Sequence, residues 1–61
     1  MPYAERIDGK AWDFEAGAYS EQTAARLQHL INKLTSYCAK VKEINDPLLG
    51  KYGVFVRRKG V

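Results

Sequence analysis

Arginine and lysine supply the most conspicuous chemistry in this chain. Arg57-Arg58-Lys59 closes the stretch KYGVFVRRKGV, and Arg26, Lys33 and Lys40 recur every seven residues through the middle of the sequence. Guanidinium and ammonium groups gathered in this way grip phosphate oxygens or carboxylates. On a single helix the seven-residue repeat lays Arg26, Lys33 and Lys40 along one stripe, and with Arg58 and Lys59 they form a candidate contact for nucleic acid or another anion. The ordinary role of such residues takes precedence here. Lysines keep a helix face solvated, basic residues on an edge strand discourage unwanted strand pairing, and no helix-turn-helix, zinc-finger or aromatic RNA-binding signature accompanies the charges. Lys59, past the end of the predicted last strand, is the member of the run expected to be free.

Other reactive side chains are few. Asp13 and Glu15, two apart on a predicted strand, share a face and have the makings of a general acid and base, but ion-paired surface carboxylates have the same spacing. The chain holds neither a Gly-rich phosphate loop nor a nucleophile motif, so no catalytic residue, cofactor or enzymatic activity is expected. Cys38 and His29 are the only good soft-metal ligands, and nine residues along one helix put them on opposite sides. That geometry argues against both a metal site and a Cys/His nucleophile pair. A single cysteine leaves no intrachain disulfide and fits a reducing compartment.

The elements that must position these residues begin with a hairpin over residues 3–16. Asp8-Gly9 is a favoured pair for a two-residue type I′ turn, since both central positions need positive φ. Pairing across it sets Ile7 opposite Lys10, Glu5 opposite Trp12 and Tyr3 opposite Phe14. Tyr3, Ile7, Trp12 and Phe14 then form an aromatic, buried face, and Ala4, Arg6, Ala11, Asp13 and Glu15 the outer one. Ser20 stands where an N-cap belongs, ahead of Glu21. A helix over 20–45 follows, with Leu27, Ile31, Leu34, Cys38 and Val41 at steps of four and three and with Leu30, Tyr37 and Ile44 widening the stripe. Pro47 is expected to end it. A third strand over 51–58 has Tyr52, Val54 and Val56 facing the helix and Gly53, Phe55 and Arg57 facing away.

The predicted fold is a single α+β domain of order ββαβ over residues 1–61, in which one long helix covers one face of a three-stranded, mainly antiparallel sheet. The expected strand order is 2-1-3, with 1-2-3 as the alternative because Glu5 and Arg6 are unusual in a central strand. A helix of ~25 residues would run ~37 Å against strands of ~20 Å, and its overhanging apolar end calls for a second chain. A chain of 61 residues with 46% apolar content is also short of core, which again favours a homodimer.

Charge is unevenly spread. Residues 1–23 carry two basic against five acidic groups, and residues 24–61 carry eight against two. Such asymmetry supports self-association or the docking of a charged partner as readily as nucleic-acid binding. No stretch approaches the ~18 consecutive apolar residues of a membrane span, and MPYAERIDGK has charges where a leader would be apolar. A soluble, cytoplasmic chain is therefore expected. The leading expectation is a non-enzymatic protein-binding homodimer, an inhibitor or adaptor of the compact kind encoded by phages and mobile elements. Its interface would use Leu30, Tyr37, Ile44, Phe55 and Arg57, with Phe55 as an exposed ring over Gly53, Ala4 and Ala11. The alternatives are nucleic-acid binding through the basic residues, and capture of a small anionic or nucleotide ligand between subunits.

Overall fold

Asp8 and Gly9 adopt the backbone that their residue types favour. In a computed structural model, which describes residues 4–60, they have φ of 54° and 79° and join β1 (Ala4–Ile7) to β2 (Lys10–Ala18). The register sets Ile7 opposite Lys10 and Glu5 opposite Trp12, as the two-residue turn requires. Tyr3, the expected partner of Phe14, lies outside the described residues.

Ser20 caps α1 (Glu21–Leu34), its Oγ accepting from the Thr23 backbone N–H at 3.1 Å. The helix is shorter than expected. It stops at Thr35, whose hydroxyl donates to the Ile31 carbonyl at 2.7 Å and accepts from the Tyr37 backbone N–H at 3.0 Å. Residues 37–46, expected to be its second half, form strand β3 (Tyr37–Asp46) instead. The physical reason is that Tyr37, Ala39 and Val41 alternate with Cys38, Lys40 and Lys42, a period-two pattern that one face of a sheet satisfies. Asp46 then builds the turn ahead of β4 (Gly50–Arg58), its Oδ1 accepting from the backbone N–H groups of Leu48 and Leu49 at 2.8 and 3.0 Å. Pro47 marks this strand-to-strand turn, not a helix end.

The sheet accordingly has four strands, not three, in the order β1-β2-β4-β3 and antiparallel throughout. Neither the ββαβ element order nor the 2-1-3 arrangement describes it. The helix does return the chain to a strand running in the direction of β2, but that strand is β3, and β4 inserts between the two. At ~1.5 Å per residue the 14-residue helix is about 21 Å long, so no overhang exists.

A bulge at Glu15 decides which residues face the helix. Phe14 pairs with Phe55 but Ala16 pairs with Val54, so the side-chain parity of β2 flips between them. Ala18, Ala39, Val54 and Val56 pack with Ala24 under the helix, flanked by Leu27, Ile31, Val41 and Tyr52. The aromatic side chains Trp12 and Phe14 stand on the other face, opposite to the expected placement. Phe55 also points away from the helix, as alternation requires. It is nevertheless fully buried at 0% exposure, not a surface ring. Phe14 meets it edge to face with centroids 5.5 Å apart.

Gly53 makes room for this second core. A Cβ there would come within 2.8 Å of the Phe55 ring and 3.2 Å of both Ile44 and Phe14. Gly53→Ala is expected to lower unfolding free energy by about 1–3 kcal/mol through overpacking. A urea titration would read this as a lower midpoint, and a midpoint equal to wild type would show that the rings move aside freely.

Candidate anion-binding site

The face turned away from the helix is closed by the sheet itself. Lys40 of β3 reaches the β1–β2 turn, where its Nζ lies 2.8 Å from the Asp8 carboxylate and 5.6 Å from the centre of the Trp12 ring. In a flat sheet β3 and β2 would stand about 10 Å apart with β4 between them. A single side chain spans the gap because the strands coil toward each other.

The coil leaves a concavity of about 370 Å³ between the hairpin turn and the C-terminal end of β4. Trp12, Cys38 and Ile7 form apolar parts of its wall, and Lys10, Lys40, Arg57, Arg58 and Lys59 are the basic ones. Asp8 is the one carboxylate among these lining residues. Trp12 is buried, and its indole N–H has no acceptor among the described residues.

The five cations have different tasks. Lys40 is held by Asp8. Lys59, expected to be free, is not: its Nζ donates to the carbonyls of Asn32 and Thr35 at 2.6 and 3.2 Å, and its backbone N–H to Ser36 at 2.8 Å. A lysine there satisfies orphan carbonyls and meets the negative end of the helix dipole. The side chains of Lys10, Arg57 and Arg58 make no ion pair among the described residues. Arg57 was expected to share a face with Arg6, Asp13 and Glu15. It pairs with Cys38 in the register and points to the other side.

The remaining candidates disperse. Lys40 leaves the helical stripe, so Arg26 and Lys33 alone share the outer side of α1. The same correction applies to His29 and Cys38, which sit on α1 and β3 and no longer on one helix. Of the expected protein interface, Leu30 and Tyr37 are 42% and 41% exposed on the helix side of the sheet. Ile44 and Phe55 converge over Gly53 on the opposite side. Two side chains that no sequence pattern singled out tie the layers together. Gln28 donates to the Ala39 carbonyl at 3.0 Å, and Asn32 accepts from the Ala39 N–H at 2.7 Å. Once residues 37–46 are read as a strand, polar residues at 28 and 32 on a helix facing its edge are the available signal.

No family model, curated protein or solved structure matches this chain. Among the described residues, no helix is long and apolar enough to cross a membrane.

The hydrogen bond from Lys40, and then its charge, hold the Asp8 carboxyl below its ordinary value of 3.8. A folded value below the unfolded one means that the pair favours the fold above the unfolded value. That contribution is lost as the pH falls through the folded value. Carboxyl chemical shifts followed through an acid titration are expected to show Asp8 titrating lower than in a Lys40→Met variant. Equal midpoints in the two proteins would mean that the pair does not persist in solution.

Proposed function

We propose that this chain is a non-enzymatic binding module that holds the phosphodiester backbone of nucleic acid in the basic concavity. One observation carries this reading: five of the ten lysines and arginines in the sequence line a single concavity with one carboxylate among them. Like charges gathered around a hollow repel one another and focus a positive potential that an anion relieves. Lys10 and Arg57 supply the contacts, because Lys40 and Lys59 are engaged by Asp8 and by the end of α1, and Arg58, opposite Tyr37 in the register, directs its side chain to the helix side of the sheet. The arginine fork matches two phosphate oxygens at once, and lysine adds a point charge.

Trp12 is buried, with Lys40 over its ring, so it offers no open platform for a stacked base. Contact is therefore to the backbone, and affinity should vary little with sequence. The protein-interface reading is weaker than it was in the sequence alone, because Phe55 and Ile44 are spent on the second core. Capture of a small phosphorylated ligand in the same hollow is the nearest rival, and it uses the same two cations.

Anisotropy titrations with labelled duplex DNA, single-stranded DNA and RNA test the proposal. With two phosphates neutralised, duplex affinity should fall about 12-fold between ~50 and ~200 mM salt. A Lys10→Glu/Arg57→Glu variant should bind at least tenfold more weakly while keeping its circular dichroism spectrum. Absence of binding to all three polymers at low salt would overturn the proposal, and binding of a mononucleotide alone would assign the concavity to a small ligand.

A further inference from the structure

We infer that the flank of α1 carrying Leu30 and Leu34 is the seat of a second copy of this chain, with the two helices side by side and pointing the same way. The inference uses the side of the sheet away from the basic concavity and does not depend on it. Gln28 and Asn32 turn one flank of the helix to the edge of β3. At about 100° per residue, Leu27, Leu30 and Leu34 lie on the opposite flank, toward β2. Nothing among the described residues covers that flank fully: Leu34 is 71% exposed. Beside it runs a groove of about 460 Å³, in which Ile31, Tyr37 and Val56 are the apolar wall and Asp13 and Glu15 the rim.

Charge on the two sides of this apolar strip says what covers it. The sheet side carries the carboxylates of Asp13 and Glu15, and the outer side of the helix carries Arg26 and Lys33. None of the four has an ion pair among the described residues. A strip with acids along one border and bases along the other is complementary to itself when copied about a two-fold axis parallel to the strip. That rotation sets Asp13 and Glu15 of each copy against Arg26 and Lys33 of the other. It also brings Leu34 of each copy to the groove of its mate. An axis across the strip would oppose acid to acid and base to base, so antiparallel helices are disfavoured. The modest core gives the association its driving force, since three of the seven buried hydrophobic residues among those described are alanines.

Sedimentation equilibrium of the whole chain and its variants tests the pairing, with circular dichroism as the control for folding. Wild type is expected to dimerise, and Leu34→Glu, at an exposed position, to weaken the dimer at least tenfold without loss of fold. Asp13→Lys/Glu15→Lys and Arg26→Glu/Lys33→Glu should each be monomeric alone. An equimolar mixture of the two should form a heterodimer, and the quadruple variant should dimerise again. A wild type that stays monomeric at millimolar concentration would overturn the inference. So would double variants that self-associate as tightly as wild type, because that result belongs to antiparallel helices or to a different surface.

Discussion

Strand β4 is buried on both faces, and much of the molecule follows from how a chain with one helix achieves that. Val54 and Phe55 are neighbours in sequence, point to opposite sides and are both at 0% exposure. The helix covers Val54. Among the described residues no second helix covers Phe55, and the sheet coils over it, with Phe14 and Ile44 approaching across the space that Gly53 leaves free. Burying an aromatic ring of this size is worth about 2–3 kcal/mol, which is a large fraction of the stability of so small a domain. The coil that closes over Phe55 also brings the β1–β2 turn to Lys40 and leaves the basic hollow at the end of β4. The candidate site is thus a geometric consequence of the second core.

The helix is attached by polar groups as much as by apolar ones. Gln28 and Asn32 bind both backbone groups of Ala39, giving an edge residue the partners that another strand would otherwise supply. Lys59 binds two carbonyls at the end of the helix. These bonds fix the roll of α1, and the roll decides that Leu30 and Leu34 face β2 and remain exposed. They also divide the C-terminal basic run, in which Lys59 becomes part of the framework, Arg57 faces the hollow and Arg58 faces the helix side.

Local features were legible in the sequence where one residue type has one backbone solution. Asp8-Gly9 specified the turn and the register that follows from it, Ser20 specified the helix start, and Tyr52, Val54 and Val56 specified a strand with its inner face. The break at Thr35-Ser36 was missed because Ile31, Leu34, Cys38 and Val41 keep helical spacing across it by coincidence. Two of those residues belong to a helix and two to a strand. That single error removed β3 and with it the strand order, the position of Lys40 and the helix-edge bonds. The bulge at Glu15 caused a separate error, since one unpaired residue reverses the facing of everything beyond it.

The sequence by itself determined the turn chemistry, the helix cap, the inward side of β4 and the separation of an acidic hairpin from a basic remainder. These depend on backbone preference and on charge, which are properties of neighbouring residues. Only the tertiary structure decided that Phe55 is core, that Lys59 caps a helix, and that Lys10, Lys40 and Arg57 surround one hollow. Those outcomes depend on the coil of the sheet, and the coil is set by packing between residues far apart in sequence, such as Phe14 and Phe55, which are 41 positions apart.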